Sequence, residues 1–84
     1  MNHYAAPSFW SSFNLLPPEI QDLARKNYEL LVEDPSHPSL HLKRVGRYWS
    51  VRVGLHYRAL GKPIAEGVLW AWIGTHAEYD RLTR

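Results

Sequence analysis

Residues Tyr48–Val53 have the sequence YWSVRV, and this stretch decides the fold class. Aromatic and β-branched residues alternate here with polar ones, and a period of two is typical of a strand with one buried face. One predicted face, which we expect to meet the helices, carries Trp49, Val51 and Val53. The other, which we expect to face water or a ligand, carries Tyr48, Ser50 and Arg52.

The strand pattern continues on both sides of this stretch. The further predicted strands are Leu40–Val45, Tyr57–Gly61 and Val68–Thr75. We expect turns at Gly46-Arg47 and at residues 54–56, and a loop over residues 62–67. Short connections favour antiparallel neighbours. Because Val68–Thr75 is almost entirely apolar, we expect it to be the central strand and to be buried on both faces.

Helical patterns precede the strands. Residues 18–33 have apolar positions at helical spacing, and Pro35 ends that helix. A shorter helix is expected after Pro7, with Ser8 as a plausible N-cap. The chain is therefore predicted to be α+β: one domain, residues 1–84, with an N-terminal helical hairpin packed on a four-stranded antiparallel sheet. Residues 3–5 are a candidate edge strand, and residues 76–84 a candidate short C-terminal helix.

Composition narrows the class of protein. The chain of 84 residues has no Cys, so neither a disulfide nor a thiolate metal site is available. Its five His residues show no metal-ligand spacing, and we expect no metal and no cofactor. No apolar run is long enough for a membrane span, and the first ten residues do not resemble a signal peptide. These features predict a cytoplasmic protein without a membrane partner.

The net charge of +2 is unevenly distributed. Residues 1–38 carry two basic and five acidic side chains, a net charge of −3, whereas residues 39–84 carry eight basic and three acidic ones, a net charge of +5. A polyanion such as RNA would favour the basic half. The alternative is that small basic domains are common and that this asymmetry has no function.

Lys43 and Arg44 lie on one predicted strand, Arg52 on the next and Arg58 on the one after it, so Lys43, Arg52 and Arg58 could come close together. Like charges on one sheet face repel, and a phosphate between them would relieve the repulsion and accept bidentate hydrogen bonds from Arg. The alternative is a solvated, exposed face. His76 follows the last strand, where imidazole can act as an acid or base, and Tyr79 can stack on a splayed base. A His at a strand end can also be a capping or packing residue.

The order and spacing of four segments resemble the RelE/ParE superfamily of bacterial type II toxins, including its RelE, YoeB and HigB branches. The segments are DPSHPSL at residues 34–40, YWSVRV at 48–53, YRAL at 57–60 and WIGTHAEYD at 72–80. The resemblance covers nearly the whole chain. It implies a helical hairpin on a small antiparallel sheet. It also implies a metal-independent endoribonuclease that enters the ribosomal A site and cuts mRNA by attack of a 2′-hydroxyl on the adjacent phosphate.

Position by position, the resemblance implies roles for particular residues. Arg58 and Arg52 would hold the scissile phosphate, His76 would protonate the leaving 5′-oxygen, and Tyr79 would orient a base. The residues implied to contact RNA or phosphate are Lys43, Arg44 and Arg47. This chain departs from the family at Ser50, where RelE has a second lysine. It also lacks a match for the YoeB carboxylate base, since Leu40 and His41 precede Lys43.

These departures leave a second interpretation open. The ParE branch shares the fold, inhibits DNA gyrase and lacks the ribonuclease site, so the chain could be a gyrase inhibitor or an inactive binding protein. Both interpretations imply a cognate antitoxin, for which we expect a surface around Phe9 and Trp10 and on the outer side of the sheet.

Overall fold

One five-stranded mixed sheet organises the computed structural model, which describes residues 1–84. The strands are β1 Asn2–Ala5, β2 Lys43–Val45, β3 Tyr48–Val53, β4 Tyr57–Ile64 and β5 Gly67–Thr75. The helices are α1 Pro7–Phe13, α2 Pro18–Glu33 and α3 His76–Leu82. The α+β class, the helical hairpin and the short C-terminal helix are therefore confirmed.

The strand order is β1-β5-β4-β3-β2. The pairs β2–β3, β3–β4 and β4–β5 are antiparallel, as predicted. The candidate edge strand at residues 3–5 is confirmed as β1, which pairs parallel with β5, so the sheet has five strands and not the predicted four. At Gly67, with φ of +150°, an added Cβ would lie 2.0 Å from the carbonyl oxygen of Asn2. Glycine therefore permits this long-range pairing, which local periodicity does not encode.

The central strand is β4 and not β5, which corrects the prediction for Val68–Thr75. Along β5, the side of Val68 and Ile73 is buried, whereas Leu69 and Trp72 are only partly buried. The predicted loop over residues 62–67 is also wrong, because β4 continues to Ile64. Beyond Gly61, β4 pairs only with β5, so Pro63 interrupts no ladder with β3.

The segment before β2 is not the strand predicted over Leu40–Val45. Residues Pro38–Leu40 form a 3₁₀ turn, and the next residue, His41, has a left-handed backbone with φ of +45°. His37 caps this turn, since its Nδ1 accepts a hydrogen bond from the amide of Ser39 at 3.2 Å. Leu40 is fully buried and anchors the turn to the sheet.

The second helix, α2, has the predicted bounds of residues 18–33. The first helix begins at Pro7 with Ala6 in the cap position, so Ser8 is not the N-cap. Instead, the Ser8 hydroxyl donates a hydrogen bond to the carbonyl of Ala71 on β5, at 2.7 Å. This bond ties α1 to the sheet.

The main core lies between the helical hairpin and one face of the sheet. Its buried members on the strands are Val51, Val53, Ala59, Val68, Trp70 and Ile73. Phe13 and Leu31 contribute from α1 and α2, while Trp49 is only partly buried at its margin. No helix is both long enough and apolar enough to cross a membrane. The opposite face of the sheet is left for α3 and for the polar residues described next.

Candidate functional site

Strand pairing places three of the predicted cations on the sheet face away from the main core. Arg52 lies directly opposite Arg58 across β3 and β4, and Lys43 lies opposite Ser50 across β2 and β3. Directly paired residues project to the same side, and so do alternate residues of one strand. Lys43, Ser50, Arg52 and Arg58 therefore share one face.

Arg58 is the one buried cation of this face, at only 3% exposed. Its Nε donates to the hydroxyl of Ser50 at 2.9 Å, and its Nη2 donates to the carbonyl of His41 at 3.3 Å. The guanidinium also stacks on Tyr79, with Cζ 5.0 Å from the ring centroid. These three contacts fix its orientation before any ligand arrives.

Burial lowers the pKa of Arg58 from its usual value, Tyr79 partly opposes that shift, and the charge of Arg52 lowers the pKa further. An arginine remains charged at neutral pH. The buried guanidinium has no carboxylate among its hydrogen-bond partners. An anion binding at this face would therefore offset both the burial and the repulsion from Arg52.

Ser50 behaves differently from the expectation that it faces water or a ligand. It lies on the predicted face, but it is fully buried, at 0% exposure, because Arg58 covers it. A small hydroxyl residue lets the guanidinium lie flat on the sheet and still accepts a hydrogen bond from it. At this position a larger side chain would occupy the space of Arg58.

Helix α3 supplies the remaining predicted residues. It begins with a capping box, in which the Thr75 hydroxyl accepts from the Glu78 amide at 3.2 Å and the Glu78 carboxylate accepts from the Thr75 amide at 3.0 Å. These bonds from Thr75 lower the pKa of Glu78. The cap fixes the direction in which the helix leaves β5, and it thereby places Tyr79 over Arg58.

His76, at the first position of α3, is about half exposed. Its Nε2 lies 3.4 Å from the Asp80 carboxylate, and its ring centroid lies 5.5 Å from that of Tyr79. A single short helix thus brings an imidazole and its carboxylate partner next to Tyr79, whose ring lies against Arg58. An imidazole can act as a general acid or base near neutral pH.

The other two predicted RNA-binding residues lie outside this cluster. Arg44 is paired with Trp49, and its guanidinium stacks on that ring at 5.2 Å, on the opposite face of the sheet. Arg47 is exposed in the turn between β2 and β3. The candidate site therefore consists of Lys43, Arg52, Arg58, His76 and Tyr79.

Sequence reasoning missed two groups of the site. The carbonyl of His41 and the hydroxyl of Ser50 orient Arg58, and neither belongs to a motif. The only available signal was the Pro38-Ser39-Leu40 stretch before His41, which disfavours a regular strand there. No group of three or more His, Asp or Glu side chains is arranged to hold a metal ion.

Comparison with protein families gives a match to the ParE-like toxin domain over residues 18–81. The chain belongs to the ParE-like toxin family, within the RelE/ParE superfamily. The matched region begins at α2 and ends in α3, so it contains every residue of the candidate site. No curated protein sequence matches this chain.

Solved structures of the superfamily share the fold of this chain. RelE in the RelB–RelE antitoxin–toxin complex from Methanococcus jannaschii superposes with a TM-score of 0.72 at 15% identity, over 96% of this chain and 99% of that chain. A mutant of the E. coli toxin RelE in the free state gives 0.66 at 14% identity, over 96% and 90%. E. coli YafQ gives 0.65 at 16% identity, over 93% and 96%.

Proposed function

We propose that this family member is the toxin of a toxin–antitoxin pair and that it cuts mRNA in the ribosomal A site. The observation that carries the proposal is the buried guanidinium of Arg58, fixed by Ser50, His41 and Tyr79 beside Arg52. Such a group is preorganised for a phosphate, and preorganised charge is usually the largest contribution to stabilising a charged transition state. A merely solvated cation would not be held in this way.

The reaction needs a nucleophile, a leaving group and stabilisation of negative charge. The 2′-hydroxyl of the RNA gives its proton to a general base as the 2′-oxygen forms a bond to the adjacent phosphorus. The bond from phosphorus to the 5′-oxygen breaks, and a 2′,3′-cyclic phosphate results. Arg58 and Arg52 stabilise the charge that develops on the non-bridging oxygens. His76 gives a proton to the departing 5′-oxygen.

The contact between His76 and Asp80 supports an acid role for His76. The Asp80 carboxylate lies 3.4 Å from Nε2 and orients the imidazole, and an oriented imidazole can serve as a general acid. Tyr79 is buried under Arg58, so its main contribution here is to orient the guanidinium. The base-orienting role that the resemblance implies would use only an exposed edge of the ring.

The low charge of the protein supports the need for a ribosome. Four cations share this face of the sheet, and affinity for RNA grows with the number of phosphates neutralised. A protein with so few contacts holds free mRNA weakly. The ribosome would supply the missing affinity by presenting the message in one geometry.

The test uses purified protein, programmed ribosomes and a defined message, with cleavage mapped by primer extension. We expect cuts inside the A-site codon with the wild-type protein, and a loss of at least about 10²-fold in rate for Arg58→Ala or His76→Ala. Lys26→Gln, which removes an exposed cation of α2, is the matched control and should cut normally. An intact message with wild-type protein would refute the proposal, as would full activity in Arg58→Ala.

The ParE-like description of the matched family favours a second candidate, inhibition of DNA gyrase. A supercoiling assay with purified gyrase separates the two. Inhibition by wild-type protein and equally by His76→Ala, together with intact mRNA, would favour the gyrase function. The mRNA function predicts no inhibition at micromolar protein.

An antitoxin partner is part of the same proposal. Between β1 and the helical hairpin lies an apolar groove of about 590 Å³ that includes Phe9, Trp10 and Tyr28. Trp10 and Tyr28 are each 50% exposed, which is unusual for large aromatic side chains in so small a protein. Affinity purification from native cells should recover a small partner that suppresses cleavage. Recovery of this protein without a partner would contradict the proposed antitoxin.

A further inference from the structure

His41 is the one imidazole whose backbone contacts Arg58. Its carbonyl oxygen accepts a hydrogen bond from Nη2 of Arg58 at 3.3 Å, and its side chain is exposed. Standard bond lengths put the ring nitrogens of a histidine no more than roughly 6 Å from its own carbonyl oxygen. The imidazole therefore lies within about 10 Å of the guanidinium that would hold the scissile phosphate.

The backbone of His41 has the unusual conformation that this contact requires. It is the only non-glycine residue with positive φ, at +45°. Such conformations are uncommon outside glycine and concentrate at functional sites, where surrounding contacts hold them in place. Here the 3₁₀ turn Pro38–Leu40 on one side and β2 on the other hold it.

Most other groups around the site are poorly suited to accept a proton, and His56 lies beside the proposed acid, because its carbonyl accepts a hydrogen bond from the His76 amide at 2.7 Å. The charged side chains on this sheet face are Lys43, Arg52, Arg58 and Lys62, and cationic arginine and lysine side chains are donors only. On α3, the Glu78 carboxylate is occupied by the capping box and Asp80 lies against His76. His37 uses its Nδ1 to accept from Ser39.

We propose that His41 is the general base of the cleavage reaction, an inference that rests on the proposed ribonuclease function. Its neutral imidazole takes the proton from the 2′-hydroxyl as the bond from the 2′-oxygen to phosphorus forms. His76 releases its own proton to the 5′-oxygen as the bond from phosphorus to that oxygen breaks. The two histidines are left with exchanged protonation states, and water restores both when the product has gone.

The experiment measures single-turnover cleavage on programmed ribosomes as a function of pH. We compare the wild-type protein with His41→Asn, which tolerates the left-handed backbone and keeps the carbonyl that holds Arg58, but has no base. His37→Asn is the matched control, because asparagine can still cap the 3₁₀ turn. A second variant, His41→Gly, is assayed with and without added imidazole.

We expect His41→Asn to slow cleavage by about 10²–10⁴-fold and to lose the decline in rate on the acidic side that the wild-type protein shows. Imidazole should partly restore His41→Gly, and His37→Asn should resemble wild type. Cleavage by His41→Asn at the wild-type rate, or a slow variant that keeps the wild-type pH profile and gains nothing from imidazole, would overturn the inference. If Arg58→Ala still abolishes cleavage in that case, the proposed ribonuclease function stands without it.

Discussion

Arg52 and Arg58 lie directly opposite each other across β3 and β4, so two guanidinium groups project from the same face of the sheet. Arg58 is buried and Arg52 is partly buried, which limits the screening of their repulsion by water. Neither arginine forms an ion pair with a carboxylate. This arrangement costs free energy in the unbound protein, and an oxyanion between the two groups would offset that cost.

Inorganic phosphate should therefore stabilise the protein through this pair. We expect phosphate to raise the melting temperature of the wild-type protein, by an amount equivalent to about 1.4 kcal/mol at ten times its dissociation constant. Arg52→Gln should reduce this increase, whereas Arg44→Gln, which removes the same charge from the opposite face, should not. Equal increases in all three proteins at constant ionic strength would show that phosphate acts through overall charge alone.

Ser50 should contribute to stability through its bond to Arg58. Ser50→Ala removes the only acceptor of Nε and leaves that buried donor unpaired, which typically costs about 1–3 kcal/mol. Urea unfolding at pH 7 measures the change. Ser36→Ala is the control, because the Ser36 hydroxyl bonds to Asp34 in an exposed turn. Equal stability of Ser50→Ala and wild type would mean that water replaces the lost acceptor.

Gly67 should be indispensable for the pairing of β1 with β5. In Gly67→Ala the new Cβ would meet backbone atoms of Asn2, the nearest at 2.0 Å, and backbone cannot move aside as a flexible side chain can. Gly46→Ala is the matched control, since its φ is +59° but its Cβ would meet nothing within 4 Å. We expect the Gly46 change to cost roughly 1–2 kcal/mol and the Gly67 change more. Hydrogen exchange should show loss of protection at β1 only in the Gly67 variant.

The sequence predicts local elements well because they depend on local periodicity. The bounds of α2 follow from the prolines at both ends, and β3 follows from its alternating pattern. The fifth strand was not counted in the predicted sheet, because β1 pairs with a strand more than sixty residues away. Such a pairing is decided by tertiary packing, which no short window of sequence contains.

The candidate site likewise has a part that local sequence periodicity predicts and a part that depends on tertiary structure. Alternation along β3 was enough to predict the side on which Arg52 projects. The register between β3 and β4 then places Arg58 on the same side. Adjacent residues of a strand project to opposite faces, so Lys43 and Arg44 cannot both belong to one site. The contribution of His41 depends on a left-handed residue and a backbone carbonyl. Because backbone atoms are the same in every residue, side-chain identity could not reveal it.

His3 should make the stability of the protein depend on pH. Burial, and to a lesser degree the charge of the N-terminus, lowers the pKa of His3, and its Nδ1 accepts a hydrogen bond from Trp70 at 3.2 Å. A histidine whose folded-state pKa is depressed binds more protons when unfolded, so stability falls as pH drops from the unfolded value of 6.5 through the folded one. We expect urea unfolding to show this fall in stability for the wild-type protein, and a smaller fall for His3→Asn. If the free energy of unfolding fell equally in the two proteins between pH 7 and 5, the pH dependence would not come from His3.

Thr75 should link the stability of α3 to the proposed cleavage of mRNA. Thr75→Ala removes the N-cap hydroxyl, which typically costs about 0.5–2 kcal/mol, and frees the end of the helix that positions Tyr79 over Arg58. We therefore expect lower stability in urea and slower mRNA cleavage, because a guanidinium without its aromatic support is less well oriented for phosphate. Thr75→Ser keeps the capping hydroxyl and should keep both properties. If Thr75→Ala lost stability but cleaved at the wild-type rate with excess protein well below its melting temperature, Tyr79 would be a packing residue that does not orient Arg58.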